Sequence, residues 1–294
     1  MSAEAAAPAL KLVQPSLRES LFAKSDAYRL YQGDSLALLK QFDAGTFDMV
    51  FADPPYFLSN GGFTCKNGKR AAVNKGNWDV SRGVEEDHAF TSAWLQECQR
   101  VLKPTGSIWV SGTQHVIFSV GFAMQKLGYK LLNTVTWYKP NASPNLACRY
   151  FTHSSELLIW ASPKPAAKLQ HTFNYKKMKQ DNGGKQMRDV WALPRAGEEE
   201  IDTDESGRVW TMTAPRREEK VHGSHPTQKP VSLLERVIEA STSEDAVILD
   251  PFNGSGTTGV AAMKLGRRYV GIDLDENYLS LTKKRLAEAE RSAR

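Results

Sequence analysis

Phe47 to Gly62 reads FDMVFADPPYFLSNGG. Met49, Val50, Phe51 and Ala52 make a hydrophobic run of the kind a buried strand carries, and the run stops on a carboxylate, two prolines and a tyrosine. The prolines remove two backbone donors and fix two φ angles. Asp53, Pro54, Pro55 and Tyr56 therefore offer hydrogen-bond acceptors on a stiff turn, beside a ring that can stack on a planar group. A second stretch, AVILDPFNGSGTTGVAAMKLG, reads as strand, glycine-rich loop and helix. Gly254, Gly256 and Gly259 satisfy G-x-G-x-x-G in the context that pattern requires. Glycine lets the backbone turn sharply and lets a ligand approach the main chain. The next strand ends at Gly271-Ile272-Asp273, where an acid can accept hydrogen bonds from both hydroxyls of a ribose. The chemistry on offer is a nucleoside-bearing cofactor held beside an acidic, proline-stiffened turn.

Elements that would position these residues are legible around them. Tyr28 to Tyr31 reads as a strand ending at Gly33-Asp34, and Ser35 to Phe42 as a short helix with Leu36, Leu38, Leu39 and Phe42 on one side. Glu85 to Leu102 and Val116 to Leu127 read as helices, the second closed by Gly128. Ser107 to Ser111, Lys130 to Trp137 and Glu156 to Ala161 read as strands. The alternation predicts an α/β chain with a parallel sheet and helices on its faces. Order returns after Ser224 with a helix over Pro230 to Glu239, a strand over Ala246 to Leu249, a helix over Thr257 to Leu265, a strand over Tyr269 to Ile272 and a charged terminal helix from Glu276. Four parts result: a flexible lead-in over 1–27, a catalytic half over 28–161, an interrupted segment over 162–224 and a cofactor-binding half over 225–294.

Composition sets the broad class. The 294 residues carry a formal charge of +5, which fits a polyanionic partner. No apolar run reaches the roughly 18 residues of a membrane helix, and the N-terminus lacks a secretory pattern. Cys65, Cys98 and Cys148 are odd in number and lack CxxC spacing, so reduced thiols in a cytoplasmic protein and no metal site are expected. Phe57 to Asn77 shows no periodicity; it carries Lys66, Lys69, Arg70 and Lys75 and no acid, and reads as a mobile basic loop.

Asp53-Pro54-Pro55-Tyr56 resembles the catalytic motif of amino-methyltransferases, which methylate an exocyclic nitrogen of a base. Asp250-Pro251-Phe252-Asn253-Gly254-Ser255-Gly256-Thr257-Thr258 resembles their cofactor motif, and His225-Pro226-Thr227-Gln228-Lys229-Pro230 their segment before the cofactor strand. Catalytic motif first and cofactor motif last is the order of the β class of DNA methyltransferases. FADPPYFLSNGG, KGNWD, PNLACRYFTHS, GKQMRDVW and SHPTQKP are most similar to the companion methyltransferases of GATC restriction systems. The resemblance runs from about Tyr28 to Ala289. It implies a Rossmann-like fold, circularly permuted, with a target-recognition segment inserted over 162–224.

The resemblance also implies S-adenosylmethionine as cofactor and adenine N6 in DNA as target, in double strands and in single strands as well. Exocyclic amines are poor nucleophiles because the lone pair is delocalised into the ring. Asp53 and a carbonyl of the proline turn, Pro54, would accept the two N–H bonds and hold the nitrogen in a nucleophilic geometry. Tyr56 would stack on a base flipped from the duplex. Asp53, Asp250, Phe252, Gly254, Ser255, Gly256, Thr257 and Asp273 would hold the cofactor, with Thr227 and Lys229 on its carboxylate and Asp34 on its adenine; Asp34 equally suits a helix N-cap. Lys66, Lys69, Arg70, Lys75, Arg149, Lys185 and Arg188 would face DNA. A homodimer and a cognate restriction endonuclease are implied as partners. Trp191 and Trp210 suit either a core or a DNA contact. The acidic run from Glu198 to Arg208 departs from the family and bears on the target site, since the family reads sequence in that segment. Three rivals stay open: N4-cytosine or RNA base methylation on the same fold, a nicotinamide-dependent oxidoreductase using GSGTTG, and a DNA-binding module without catalysis.

Overall fold

The computed structural model describes residues 15–59, 63–66, 69–72, 75–139, 142, 144–164, 170–191, 215, 217–223 and 225–292. Among these residues eleven strands and seven α-helices follow one another as β1 (Leu21–Lys24), β2 (Tyr28–Gln32), α1 (Ser35–Leu39), β3 (Phe47–Ala52), β4 (Phe63–Lys66), β5 (Lys69–Ala72), α2 (Val84–Val101), β6 (Leu102–Gly112), α3 (Ile117–Lys126), β7 (Lys130–Tyr138), β8 (Ser155–Ser162), α4 (Tyr175–Asp181), β9 (Val190–Trp191), α5 (Val231–Ser241), β10 (Val247–Asp250), α6 (Thr257–Lys264), β11 (Arg268–Asp273) and α7 (Glu276–Ser292). Nine strands form one sheet in the order β1-β2-β11-β10-β3-β6-β8-β7-β9.

The central strands are mostly apolar because both faces are covered, as parallel strands require; Asp48 near the start of β3 is an exception, paired with Lys103. Along β3, Met49 and Phe51 face one core with Leu234 of α5, Ala261 of α6 and Leu286 of α7. Val50 and Ala52 face the other, with Leu39 of α1, Trp94 of α2 and Val120 of α3; Phe47 joins that side because the register shifts between Phe47 and Met49. That period-2 alternation turns one strand into the divider between two helical layers.

β3 and β10 lie side by side and parallel, with Met49 opposite Ile248 and Val50 opposite Leu249. From β3 the chain runs through α2 to β6 on one side; from β10 it runs through α6 to β11 on the other. The strand order therefore diverges between β3 and β10. Open sheets of this kind bind ligands in the crevice beyond the carboxyl ends of the strands at that point. Asp53 follows the last residue of β3, and Asp250 is the last residue of β10.

Three expectations are corrected. The sheet is mixed: β2, β11, β10, β3 and β6 are parallel, but β8 runs antiparallel to both β6 and β7. Among the described residues no helix joins β7 to β8, and the chain reverses direction between them. The lead-in is not wholly unstructured, since Leu21–Lys24 pairs antiparallel with β2 at the sheet edge. The basic loop contains the β4–β5 hairpin, with Lys66 opposite Lys69. Asn67-Gly68 between those strands is the dipeptide signal for such a turn.

In the 162–224 segment, α4 and β9 pack on the main body. The Asn174 side chain donates to the carbonyls of Glu239 (2.6 Å) and Thr242 (2.8 Å) at the end of α5. β9 pairs with β7, and Trp191 is buried against Trp109, which stacks on Trp160 at 5.0 Å. Trp191 is thus a core residue. Trp210 and the acidic run Glu198 to Arg208 lie outside the described residues.

Candidate active site

The crevice opens into a cavity of about 720 Å³, within the size range of small-ligand and cofactor pockets. The Asp53-Pro54-Pro55-Tyr56 turn forms one wall; Asp250 and the glycine loop form another. Asp34, Thr227, Lys229 and Asp273 line it too, as do Lys75 and Trp78.

Asp53 is the hub of a buried polar network. Its Oδ1 accepts from the hydroxyls of Tyr56 (2.7 Å) and Ser111 (2.5 Å), and its Oδ2 from Lys229 Nζ (2.6 Å). Lys229 also lies 3.2 Å from the Tyr56 hydroxyl and 3.5 Å from Glu156 Oε2. Glu156 pairs in turn with Lys139. Burial by itself would raise the Asp53 carboxyl; the Lys229 ammonium and the two hydroxyls outweigh it and hold the group below its ordinary value. Lys229 is pulled down by burial and pushed up by Asp53, Tyr56 and Glu156, with a net rise well above an ordinary lysine. Asp53 is therefore an anion whose charge is fixed by a buried cation.

The turn itself is held by Asp79, which is fully buried. Its Oδ1 accepts from the Tyr56 amide (2.9 Å), and its Oδ2 from the Leu58 amide (3.2 Å) and the Ser59 hydroxyl (2.8 Å). Phe57 between them sits at φ +56°, a costly conformation for a bulky side chain, which these bonds over-determine. Asp79 had a trace in the sequence, inside KGNWD, without a role attached. Ser111 and Glu156 were missed: each lies on a predicted strand, and nothing in a strand pattern marks which end meets a loop from elsewhere.

The cofactor wall is built differently. Asp250 accepts from Thr258 Oγ1 (2.6 Å) and the Phe252 amide (3.0 Å). Burial dominates there and pushes its pKa up to about 7. Asp273 accepts from the Gly254 amide (2.7 Å) and the Asp275 amide (2.9 Å), and burial raises it to about 6. Gly254 and Gly256 adopt left-handed φ of +50° and +70°. A Cβ on Gly256 would lie 2.4 Å from Thr282 Cγ2, so this glycine serves both the turn and the packing of α7. Arg285 Nη1 ties the loop through the Ser255 carbonyl (2.6 Å) and Thr257 Oγ1 (3.0 Å). Phe252 packs edge-on against Trp94 at 5.4 Å.

This wall bears on the two cofactor classes the glycine pattern left open. A pyrophosphate needs free amides and positive potential at the helix N-terminus. Here the Gly254 amide is taken by Asp273, and Asp250 stands at the first turn of α6. Neither acid forms an ion pair among the described residues. Two buried carboxyls with no ion pair among the described residues suit a ligand carrying hydroxyl donors and positive charge better than they suit a pyrophosphate.

Asp34 caps α1, accepting from the Ala37 amide at 2.8 Å, while remaining on the cavity wall. Thr227 Oγ1 lies 3.0 Å from His225 Nδ1. His225 stacks on Trp78 (6.0 Å) and meets Tyr278 edge-on (4.4 Å); burial lowers its pKa to about 4, so it is a neutral aromatic surface. Lys229, expected on the cofactor, is held by Asp53. Lys75 lies inside the cavity, 5.4 Å from the Tyr56 ring centroid. Lys66, Lys69 and Arg70 fall on the β4–β5 hairpin. Arg149 is exposed on the β7–β8 connection; Lys185 and Arg188 are exposed just before β9, four strands from β3.

Comparison with known proteins agrees with this architecture. A family model described as DNA methylase matches residues 47–284. The Type II methyltransferase M2.LlaDCHI of Lactococcus lactis subsp. cremoris is 49% identical over 257 residues, 87% of this chain and 88% of that protein. M2.DpnII of Streptococcus pneumoniae is 48% identical over 261 residues, 89% and 90% of the two chains. Among solved structures, the M1.HpyAVI–SAM complex superposes with a TM-score of 0.58 at 22% identity, covering 88% of this chain and 98% of that one. The cytosine-N4-specific PvuII DNA methyltransferase gives 0.64 at 17% identity, covering 92% and 93%. At those identities the two structures speak to the fold, which is Rossmann-like. The chain belongs to the DNA methylase family, and is a DNA methyltransferase that uses S-adenosylmethionine as its methyl donor.

Proposed function

We propose that this enzyme methylates the exocyclic N6 of an adenine flipped out of DNA, within the sequence GATC, as the companion of a restriction endonuclease. The observation that carries the chemistry is the state of Asp53. An ionised carboxylate offers about four lone-pair sites. Tyr56, Ser111 and Lys229 occupy three of them, which leaves one for an incoming N–H. The Pro54 carbonyl, unpaired among the described residues, is the natural acceptor for the second. Two acceptors held by a rigid turn orient the amine and stabilise the charge that develops as its nitrogen attacks. Because Asp53 is held below its ordinary pKa, it is a poor proton acceptor, and the proton leaves to water after transfer. Tyr56 presents its ring to the base while its hydroxyl braces Asp53, and Trp78 and His225 extend the aromatic wall.

S-adenosylmethionine supplies an electrophilic sulfonium methyl. Asp273 suits its ribose hydroxyls, and Asp250 with the Phe252–Thr257 loop suits its charged amino-acid end. Asp34 and Thr227 sit on the same cavity wall. Lys66, Lys69 and Arg70 on the hairpin, with Arg149, Lys185 and Arg188, supply phosphate contacts. Four segments, 1–27, 28–161, 162–224 and 225–294, divide the chain by role. A homodimer in the cytoplasm, active on double-stranded and single-stranded DNA, completes the reading. Among the described residues no helix is long and apolar enough to cross a membrane.

Adenine and GATC rest on the motif resemblance and on the similarity to Type II methyltransferases. Expression in a host without DNA methylation, followed by single-molecule sequencing of its genome, tests both at once. N6-methyladenine in GATC is expected. Methylated cytosine would replace the target base, and a different motif would replace the site.

A further inference from the structure

The catalytic end of the sheet carries a second feature that the methyl-transfer chemistry leaves unused. Tyr138 of β7 pairs with Ser155 of β8, and Gly112 of β6 with Leu157. The connection from Lys139 to Ser154 therefore emerges at the same end as Asp53. Its base is closed by the Lys139 amide on the Ser154 carbonyl (2.7 Å). Asn145 organises its outer turn, donating to the Tyr150 carbonyl (2.6 Å) and accepting from the Ala147 amide (3.0 Å), with Cys148 at φ +52°. Gln114 Nε2 lies 3.4 Å from His153 Nε2, joining this turn to the residues just after β6, where Ser111 meets Asp53.

On that scaffold stand exposed apolar side chains: Leu146 at 50%, Tyr150 at 60% and Phe151 at 95%. Tyr150 leans on His153 at 5.3 Å. Phe151 makes no ring contact among the described residues. A phenyl ring 95% exposed, on a turn held by side-chain hydrogen bonds, two residues from an exposed arginine and at the same end of the sheet as Asp53, has an evident partner in DNA bound at that end. Removing a base from a duplex costs two stacking contacts and leaves a gap of one base plane. Apolar side chains inserted between base steps relieve that cost.

We propose that Phe151 enters the DNA stack and fills the place vacated by the flipped base, while Arg149 meets an adjoining phosphate. This rests on the base-flipping reading above. Phe151 is a positioning residue: it holds the base out of the helix and does not touch the reacting atoms.

The test compares Phe151→Ala with the wild type on two duplexes. One holds the target adenine paired in a single GATC site; the other places an abasic nucleotide opposite it, so that the adenine is already half released. Tritium transfer from labelled S-adenosylmethionine is measured, with a scrambled duplex as blank. Phe151→Ala should lose about 10- to 100-fold in kcat/KM on the paired duplex, the range for losing one base–aromatic stack. The defect should shrink to about threefold or less on the abasic duplex, and Phe151→Trp should restore activity on the paired one. A wild type silent on GATC would sink the site reading alone; the comparison is then made on the motif found by genome sequencing. Equal defects of Phe151→Ala on both duplexes, or no defect on the paired one, would overturn the wedge. A change of oligomeric state in Phe151→Ala with equal defects would assign the residue to an interface between copies of the chain instead.

Discussion

Replacing Lys229 by methionine should do more harm to the folded protein than replacing Asp53, although Asp53 carries the chemistry. Lys229 is buried, 2.6 Å from Asp53 and 3.5 Å from Glu156, and it is the cation between two carboxylates. Lys229→Met strands Asp53 and leaves Glu156 with Lys139 alone. Removing one partner of a buried ion pair costs about 3–5 kcal/mol. For a chain of this size that corresponds to a fall in Tm of about 5–8 °C. Asp53→Asn leaves Lys229 beside Glu156, and should cost less. The sign with pH follows from the shift. The Asp53 carboxyl is held below its ordinary value, so the pair's stabilisation is present above the unfolded carboxyl pKa of about 4 and is lost as pH falls through the lower folded value. The gap in Tm between wild type and Lys229→Met should therefore hold near neutrality and narrow as pH falls below about 4. Thermal melts of both proteins from about pH 2 to 8 read it directly, and the double variant with Asp53→Asn should recover part of the loss. A Lys229→Met protein as stable as the wild type at pH 7, or a gap that does not vary with pH, would refute the buried-pair account.

Asp53→Ala should lower methyl transfer by at least about 10³-fold, as loss of a preorganised charge does, while S-adenosylmethionine binding by calorimetry stays within a few-fold; near-normal turnover would defeat the mechanism. Cofactor binding should release protons between pH 6 and 7, because Asp250 and Asp273 are raised to about 7 and about 6 and a cationic, hydroxyl-bearing ligand favours their ionised forms. Affinity should accordingly rise with pH across that range, and calorimetry in buffers of different ionisation enthalpy counts the protons; proton uptake would contradict the assignment. Gly256→Ala should destabilise the protein and weaken cofactor binding, since its Cβ meets Thr282 at 2.4 Å and φ is +70°; a normal Tm would show that α7 gives way. DNA affinity should fall steeply with salt, log Kd tracking log salt with a slope set by the phosphates neutralised. A flat response in fluorescence anisotropy would remove the basic residues from the interface.

Much of the site was legible because its chemistry is local in sequence. Asp53 to Tyr56 form one continuous turn, and Asp250 to Thr258 one strand–loop–helix unit. Each such unit carries its own conformational logic: prolines that stiffen, glycines at positive φ, an acid at a strand end. The sheet's direction was less legible. β7 and β8 look like any two strands, and only the lack of a helix between them implies the reversal that the pairing shows. The edge strand Leu21–Lys24 is too short to announce itself, and pairs with β2 through backbone bonds that carry no side-chain signature.

The sequence by itself determined that an acidic, proline-stiffened turn and a glycine-rich nucleoside loop sit at the ends of two strands, because both are short-range devices. Tertiary structure decided that those strands are neighbours, at the point where the strand order diverges. It brought Lys229 across 176 positions of chain to Asp53, and Ser111, Glu156 and Asp79 from three further segments. These partners follow from strand pairing and burial, which place groups distant in the chain within one low-dielectric volume. There a single cation sets the charge of the carboxylate on which catalysis depends.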